Sequence, residues 1–342
     1  MKPLHLAIVG ATGAVGQEAL ELLEKRHLPL ASLRCFASLR SAGKSVVFKQ
    51  QSIPIEHLTP DAFQGIDIAL FCAGGKISKE WAPRAVDAGA IVVDNSSYFR
   101  LDDRVPLIIP EINSHALLPQ HRLIASPNCS TTIMLMALAP LHRVIPIQRI
   151  VAATYQAASG AGMHAMHELR EETHAYIEGR PFERTVIPFP YAFNLFTHNS
   201  PLTESGYVEE ELKMVHESRK ILEDDQIRIH ATCVRVPILR AHSETLNVTF
   251  HAPFSVEDAY AILRKAPGIT LVENRAENRF AMPIDASGNE SVLCGRIRED
   301  RSHPNTLDLW VVGDQLLKGA ALNAVQIIEY LQGKSKTEKI HD

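Results

Sequence analysis

The sequence has few cysteines, and their spacing fits neither a disulfide framework nor a metal site. The 342 residues include five cysteines without a C-x-x-C pair, namely Cys35, Cys72, Cys129, Cys233 and Cys294. An odd number of isolated cysteines is typical of a reducing compartment and argues against a disulfide-stapled secreted domain. Each cysteine is therefore expected to be a free thiol.

The sequence also lacks a strong net charge and a long apolar run. Its formal net charge of −4 offers no basic field for nucleic acid or an anionic membrane. No apolar run approaches the roughly 18 residues that a membrane helix needs. Residues 1–6 lead directly into a predicted strand, so we expect no signal peptide. These features predict a cytoplasmic protein with no nucleic-acid or membrane partner.

The composition, 46% hydrophobic and 22% charged, is that of ordinary folded domains, and the length suits two of them. Strand and helix patterns alternate as far as Cys129, which favours a parallel sheet. We predict an α/β fold in which a Rossmann-type, doubly wound parallel sheet is formed by residues 1–128 plus 313–333. A second, α+β domain on a mixed sheet is predicted for residues 129–312, with a polar tail at 334–342. The last helix of the chain is predicted to run from about Gly313 to Leu331.

A glycine-rich loop lies between the first predicted strand and the first helix. Residues 10–16 read GATGAVG, after the β-rich segment 4–9 and before the helical period of 17–24. Glycines let the backbone approach a pyrophosphate, which the helix N-terminus attracts. The spacing is G-x-x-G-x-x-G, not the usual G-x-G-x-x-G, and the alternative is a turn needed only for packing. Its place between strand and helix favours a dinucleotide site.

The segment after the second predicted strand indicates which dinucleotide would bind. An NAD-preferring site has an acidic residue here for the ribose 2′-hydroxyl. Residues 38–44 read SLRSAGK and contain no carboxylate, whereas Ser38, Arg40 and Ser41 suit a 2′-phosphate. We therefore favour NADP(H); the alternative is a solvated basic loop.

Two further loops follow predicted strands at the same edge of the sheet. Ala73 and Gly74 end one buried-looking strand, and residues 95–100 (NSSYFR) follow the next. Ligands of open α/β sheets bind at the carboxyl ends of the strands. Ala73 and Gly74 would therefore lie beside the cofactor, and Arg100 with Ser97 and its neighbouring serine is a candidate anion clamp.

Cys129 lies where a predicted strand turns into a predicted helix. Residues 126–132 read SPNCSTT, after the apolar segment 123–125 and before the helix-forming run 133–138. The unpaired N–H groups and the dipole of a helix N-terminus stabilise a thiolate, which is the nucleophilic form. The alternative is a buried and inert cysteine. The position favours a covalent nucleophile.

Arg235 and His242 lie around a predicted strand at 229–237. Arg235 interrupts an otherwise apolar segment, and a buried arginine needs a partner that an anionic substrate could supply. His242 is predicted to lie in a strand-to-strand connection, where it could act as acid or base. A cysteine nucleophile elsewhere makes a Cys/His pair reasonable.

Two helical patterns carry charged or histidine side chains without a clear function. Glu210 and Lys213 share a face of a predicted helix, and such a pair is usually solvated. His164, His167 and His174 lie on another helix, but no HExxH pattern or paired ligand spacing supports zinc. We expect no metal.

Taken together, these motifs resemble those of the aspartate-semialdehyde dehydrogenase family. The resemblance extends from Gly10 to Gln326. It rests on the loops already described and on four more motifs: YQAASGAG (155–162), EELKM (210–214), RVP (235–237) with HSE (242–244), and KGAALNA (318–324).

The resemblance implies a reaction and an assembly. NADPH-dependent reductive dephosphorylation of L-4-aspartyl phosphate would give L-aspartate 4-semialdehyde, reversibly, through a cysteine thioester. The family serves the biosynthesis of lysine, threonine, methionine and diaminopimelate. Its members are homodimers or homotetramers, so the second domain is expected to be both catalytic and dimer-forming.

The resemblance also implies roles for individual residues. Cys129 would be the nucleophile and His242 the general acid/base. Gln156 would orient the substrate, and Asn128 would support the nucleophile. Arg235 would bind the α-carboxylate of the substrate, and Glu210 would bind its amino group. The phosphate would be held by Arg100, Lys213 and Ser97, and Gln156 would contact the acyl group. With the loop candidates, the expected NADP(H) contacts are Gly10, Thr12, Gly13, Ala14, Val15, Ser38, Arg40, Ser41, Ala73, Gly74, Ser159, Gly160 and Gln315.

The chain departs from the family pattern at three positions. Tyr98 replaces a small residue and is expected to crowd the phosphate end. Ala241 precedes His242 where glycine is usual, and Gln315 replaces a common asparagine, which puts its cofactor contact in doubt. No catalytic group is lost.

Three alternatives remain at this point. N-acetyl-glutamyl-phosphate reductase shares the chemistry, but Glu210 with Lys213 would meet a free substrate amine that its substrate lacks. A non-catalytic relative would be expected to lose Cys129. A nucleotide-binding regulator would not need Arg235 or the Arg100 clamp.

Overall fold

The computed structural model describes residues 3–333, which form two compact units. The first contains the chain up to Asn128 and the segment from Ala320, and the second runs from Cys129 to Gly319. The predicted tail at 334–342 lies outside the described residues. No helix of the described residues is long and apolar enough to cross a membrane.

The C-terminal boundary of the units differs from the predicted one. Residues 313–319 belong to the second unit, whereas the predicted division assigns them to the first. The reason is strand pairing, because Gly313 is the last residue of a strand that pairs with His242. The chain joins the first unit only after this strand and the turn that follows it.

The first unit contains a sheet with a central parallel part. Its elements are β1 (Leu4–Val9), α1 (Ala14–Lys25), β2 (Leu30–Phe36), β3 (Ser45–Phe48), β4 (Gln51–Glu56), β5 (Ile68–Phe71), α2 (Gly75–Asp87), β6 (Ile91–Asp94), α3 (Pro110–Asn113), β7 (Leu123–Ala125) and, at the end of the chain, α9 (Leu322–Leu331). The strand order is β3-β4-β2-β1-β5-β6-β7, parallel from β4 to β7. The predicted doubly wound sheet is confirmed. Its order reverses between β1 and β5, so a ligand crevice is expected where these two strands end.

The second unit contains a mixed sheet. Its elements are α4 (Cys129–His142), β8 (Ile147–Gln156), α5 (Met163–Ile177), β9 (Phe196–Thr197), α6 (Glu209–Leu222), β10 (Arg228–Arg235), β11 (His242–Phe250), α7 (Val256–Leu263), β12 (Ile269–Leu271), β13 (Glu273–Asn274), β14 (Arg279–Phe280), α8 (Pro283–Ala286), β15 (Val292–Glu299) and β16 (Thr306–Gly313). The order is β12-β15-β16-β11-β8-β10-β9, and β13 pairs with β14 separately. This architecture agrees with the predicted α+β domain.

One face of the second sheet is covered by helices. Every residue of α4 from Ser130 to Ala139 is buried, because the helix is apolar all round. It packs against β11 and β16, while α6 packs against β10. The first residue of α4, Cys129, is consequently held at the end of a rigid element.

Two local predictions are wrong. His242 is the first residue of β11 and not part of a connection, because it pairs with Gly313. The alanine-rich sequence predicts one final helix over 313–331, but α9 is preceded by a π-helical turn, Leu317–Ala321. The Asp314 carboxylate accepts the N–H groups of the next turn and so competes with a regular helix start.

Candidate functional site

The glycine loop joins β1 to α1 at the reversal of strand order. A Cβ on Gly10 (φ +92°) would lie 2.8 Å from the carbonyl carbon of Cys72, and one on Gly16 would lie 2.3 Å from the Gly10 oxygen. These two glycines therefore permit the close approach of strand, loop and helix. Thr12 and Gly13 are exposed, and no side chain caps the N-terminus of α1. Ala14 and Val15 begin the helix there, with backbone N–H groups suited to an anion.

A second helix N-terminus faces the same edge of the sheet. Ala73 and Gly74 follow β5, which pairs with β1, and Gly74 caps α2 without a side-chain hydrogen bond. A Cβ on Gly74 would meet nothing within 4 Å, so the loop leaves open space. Two uncapped helix starts beside each other fit the charge of a dinucleotide pyrophosphate.

The end of β2 contains a feature that the sequence does not reveal. Ser38 and Arg40 are exposed, and a turn returns the Ser41 N–H to the Ser38 carbonyl at 2.8 Å. Pairing of β2 with β4 brings Glu56 close, but Arg34 binds both of its carboxylate oxygens at 2.9 and 2.5 Å. This hydrogen bonding, with the charge of Arg34, lowers the pKa of Glu56. The acid that β4 brings beside the end of β2 is thus already paired.

The loop after β6 is fixed by a buried carboxylate and by Arg100. Asp94 accepts hydrogen bonds from the backbone and hydroxyl of Ser96 at 2.9 and 2.8 Å, and burial raises the Asp94 pKa. Arg100 is buried and donates to the carbonyls of Ser126 (2.9 Å) and Asn95 (2.8 Å). It therefore holds the segment that precedes the nucleophile candidate. Its role as an anion clamp stays a prediction.

The remaining side chains of this loop lie at the surface. Ser97 is exposed. The Tyr98 ring is 46% exposed and lies 5.4 Å from the Lys79 ammonium on α2. Tyr98 thus has a cation–π partner within the first unit. Its predicted effect on the phosphate end is still open.

Cys129 differs in its surroundings from the other cysteines. It is the first residue of α4, directly after buried Asn128, and is partly exposed, as Cys72 also is. Burial raises the thiol pKa of Cys35, Cys72 and Cys294 to about 12 and also that of Cys233. These four side chains are unsuited to thiolate chemistry, so the position predicted from sequence holds the best nucleophile candidate.

His242 is fully buried and has a defined orientation. Its Nδ1 accepts the Ala157 N–H at 3.1 Å, which assigns the proton of the neutral ring to Nε2. Nε2 has no hydrogen-bond partner among the described residues. Burial, followed by the positive charge of Arg235, lowers the His242 pKa to about 3. The ring is therefore neutral at pH 7 and presents an Nε2–H donor.

Arg235 lies beside His242 without an acidic partner. It is 4% exposed and donates to the Ala157 carbonyl (2.9 Å) and Asn199 Oδ1 (3.2 Å), but it forms no ion pair within the described part of the chain. A Cβ on Gly160 would lie 2.9 Å from Arg235 Nη1 and 3.1 Å from His242 Nε2. The two side chains are thus adjacent beneath Gly160, and the buried cation fits a carboxylate ligand.

Gln156, Glu210 and Lys213 form a connected polar group. Gln156 Nε2 donates to Glu210 Oε1 at 3.1 Å, and Lys213 Nζ donates to Oε2 at 3.1 Å. Glu210 is only 5% exposed, so the solvated-face interpretation of this pair is wrong. Gln156 and Arg235 are opposite each other on paired strands, which places this group next to the arginine.

The loop before α6 supplies residues that sequence reasoning missed. Asn199 binds Arg235, and the Ser200 hydroxyl accepts the Glu210 N–H at 3.1 Å. His198 is buried, and this burial lowers its pKa to about 4. The segment 180–207 has no periodic pattern, so only its Asn-Ser pair beside a predicted helix could have served as a signal.

Gln315 connects the segment after β16 with the His242 region. It is 2% exposed, accepts the Ala241 N–H at 2.9 Å and donates to the Ser159 hydroxyl. A Cβ on Gly319 would lie 2.9 Å from Cys129 Cβ and 3.2 Å from Gln315 Cβ. Cys129 and the residue before His242 are therefore both neighbours of one segment. The predicted cofactor contacts of Gln315 and Ser159 remain untested.

The described residues contain no group of His, Cys, Asp and Glu side chains that could hold a metal ion. His164 and His167 are exposed on α5.

Comparison with known proteins places these two units in one family. Residues 5–119 match the family model for the semialdehyde dehydrogenase NAD binding domain, and residues 138–318 match that for the semialdehyde dehydrogenase dimerisation domain. The aspartate-semialdehyde dehydrogenase of Synechocystis sp. is 55% identical over 96% of this chain and 97% of its own. This chain belongs to the aspartate-semialdehyde dehydrogenase family.

Other members of the aspartate-semialdehyde dehydrogenase family agree in length and fold. The Bacillus subtilis enzyme is 42% identical over 96% of this chain and 97% of its own. A crystal structure of aspartate semialdehyde dehydrogenase II from Vibrio cholerae, described as a complex with ASA, has a TM-score of 0.93 at 40% identity and covers 97% of this chain and 99% of that one. The resemblance inferred from the motifs is confirmed.

Proposed function

We propose that this chain catalyses the NADPH-dependent reductive dephosphorylation of L-4-aspartyl phosphate to L-aspartate 4-semialdehyde, reversibly. The observation that supports this best is the pairing of a buried, acid-free arginine with a neutral histidine that presents an Nε2–H. An arginine of this kind fits the α-carboxylate of an amino-acid substrate. The reaction would serve the biosynthesis of lysine, threonine, methionine and diaminopimelate.

In the first step, the Cys129 thiolate attacks the acyl carbon of the substrate. The S–C bond forms, the C–O bond to phosphate breaks, and inorganic phosphate leaves with the electron pair. Phosphate is a good leaving group, so the enzyme needs only to hold it. We assign this task to Lys213, together with Arg100 and Ser97 from the loop after β6.

In the second step, the thioester carbonyl is reduced. NADPH, when bound, supplies the hydride. His242 directs its Nε2–H, as a hydrogen-bond donor, at the oxygen on which negative charge develops. Collapse of the resulting oxyanion re-forms the C=O bond and breaks the C–S bond, so that the Cys129 thiolate leaves with the electron pair. Gln156 orients the acyl group, and Asn128 supports the nucleophile. In the reverse direction, the Cys129 thiolate adds to the semialdehyde, and the same Nε2–H stabilises the oxyanion of the adduct from which the hydride leaves.

Recognition of the substrate follows from the charges of the second unit. Arg235 would bind the α-carboxylate, and Glu210 would bind the amino group through its buried carboxylate. A substrate with an acylated amine offers no cation for Glu210. We therefore place N-acetyl-glutamyl-phosphate reductase second, with a non-catalytic role third.

The first unit would bind NADP(H). The two uncapped helix starts, with Gly10 to Val15 and Ala73 to Gly74, fit the pyrophosphate. Ser38, Arg40 and Ser41 would bind the 2′-phosphate, and Glu56 does not oppose it because Arg34 neutralises it. We assign the contacts of Ser159, Gly160 and Gln315 to the nicotinamide end.

We also propose a homodimer, or a homotetramer built from it, in the cytoplasm. Alternate residues of β8, Val151, Ala153 and Tyr155, are half-exposed on the sheet face opposite α4, and Tyr155 lies 6.0 Å from the partly exposed Trp310 ring. A central sheet face of this kind favours burial against a second copy. The family model for residues 138–318, a dimerisation domain, supports a dimer formed by the second unit.

The assignment is tested by phosphate-dependent reduction of NADP with L-aspartate 4-semialdehyde. Wild-type protein should turn over only with phosphate or arsenate present, and N-acetylglutamate 5-semialdehyde should react far more slowly. A faster rate with the acetylated substrate would favour the alternative reductase. Folded protein that binds NADP but turns over neither substrate would contradict both enzymatic assignments.

A further inference from the structure

A single buried amide bridges the two loops that hold His242. Gln315 Oε1 accepts the Ala241 N–H at 2.9 Å, and Nε2 donates to the Ser159 hydroxyl. Both functional groups of the side chain therefore have protein partners. Because Gln315 is 2% exposed, these bonds are shielded from water and are strong.

The first of these loops has an unusual backbone conformation directly before the histidine. Ala241 has a φ of +74°, in the left-handed region that disfavours any residue with a Cβ. It is also fully buried, so its N–H would lack a partner without Gln315. The orientation of residue 241 fixes where the next residue, His242, leaves the turn.

The second loop determines the protonation geometry of the histidine ring. The Ala157 N–H donates a hydrogen bond to Nδ1 of His242 at 3.1 Å. The N–H groups of Ala158 and Ser159 donate to the carbonyls of residues 238 and 239 at 2.8 and 3.0 Å. The Ser159 hydroxyl, bound by Gln315, ties this loop to the turn at Ala241.

The segment that carries Gln315 is itself rigid. Fully buried Asp314 binds Arg240 at 2.6 Å and accepts the Gly288 N–H at 2.7 Å. Farther along, Gly319 packs against Cys129. A displacement of Gln315 would therefore not be absorbed by the segment and would pass to the Ala241 turn.

We propose that Gln315 is a positioning residue that keeps Ala241 in its left-handed conformation and so aims His242 at the reacting carbonyl. The two positions at which this chain departs from the family pattern near His242, Ala241 and Gln315, are thus hydrogen-bond partners. The effect of this positioning role on turnover rests on the proposed function.

The test compares Q315A in two backgrounds, wild type and A241G. Glycine retains a positive φ without the hydrogen bond, so A241G should rescue the loss. Q315A should lower kcat per titrated Cys129 thiol about tenfold, the effect of one lost hydrogen bond. In the A241G background, the same change should lower kcat less than about threefold. Any change that Q315A causes in the dissociation constant of NADPH, from fluorescence quenching, should be the same in both backgrounds, because a cofactor contact of Gln315 does not depend on the residue at 241.

A crystal structure of each variant gives a readout that does not depend on activity. The φ of residue 241 should become negative in Q315A and stay positive in Q315A/A241G. An unchanged φ in Q315A, equal kcat losses in both backgrounds, or weakened NADPH binding at constant kcat would overturn the positioning role. Absence of turnover in the wild type would refute the proposed function, while the φ values would still decide the role of Gln315.

Discussion

Gly160→Ala should impair catalysis without impairing folding. The added Cβ would lie 2.9 Å from Arg235 Nη1 and 3.0 and 3.1 Å from two ring atoms of His242, whereas ordinary contact begins near 3.4 Å. Neither side chain can move freely, because the Ala157 carbonyl accepts a hydrogen bond from Arg235 and the Ala157 N–H donates one to His242. A shift of about 0.5 Å in His242, which faces the reacting oxygen, and in Arg235, which binds the substrate carboxylate, should lower kcat/KM for the semialdehyde about tenfold to a hundredfold.

Two measurements distinguish this effect from loss of structure or of cofactor binding. Gly160 is exposed and its φ is not in the left-handed region, so the lower entropy of the unfolded chain should offset part of the steric strain, and urea unfolding should show a loss below about 1 kcal/mol. The KM for NADP should change much less than kcat/KM for the semialdehyde. A variant with nearly wild-type kcat/KM, or with only a raised KM for NADP, would refute the geometric reasoning.

Three further predictions address substrate binding, pH and the loop before α6. Arg235→Lys should raise KM for the semialdehyde about tenfold or more, because the bidentate geometry is lost; an unchanged KM would exclude the carboxylate role. Burial lowers the His198 pKa from 6.5 to about 4, so its stabilising contribution is complete above pH 6.5 and is lost as the pH falls towards 4. His198→Asn should therefore reduce the acid-induced loss of unfolding free energy by about 3 kcal/mol, and equal pH slopes in urea titrations would contradict this. Glu168 accepts the N–H groups of residues 185–187 at 2.6 to 2.8 Å, and Glu168→Gln should cost about 2 kcal/mol in urea unfolding, with a change below about 0.5 kcal/mol counting against it.

Local patterns predicted most of the framework, since strand, glycine loop and helix signals lie within a few residues of each other. The hairpin of β3 and β4 was missed for a specific reason. Its turn, at Lys49 and Gln50, has two positive φ angles but no glycine or asparagine to signal them. The final helix was predicted to begin too early because periodicity does not reveal that Asp314 binds the following N–H groups.

The site shows the same limit. Cys129 at a helix start could be located from flanking residues alone. Glu210 could not, because three consecutive glutamates in the first turn of α6 indicate a solvated face until Gln156 and Ser200 are seen to enclose one of them. Contacts between the ends of paired strands, such as that of Gln315 with Ala241, join residues 74 positions apart and leave no local signal.

The central claim, a thioester on Cys129, is tested most directly by intact-protein mass spectrometry. The protein is mixed with NADP and L-aspartate 4-semialdehyde in the absence of phosphate and quenched in acid. The account predicts an increase by the mass of one aspartyl group, located on Cys129 after digestion, absent in Cys129→Ser and removed by added phosphate. NADP reduction with no covalent adduct, or an adduct on another cysteine, would contradict it.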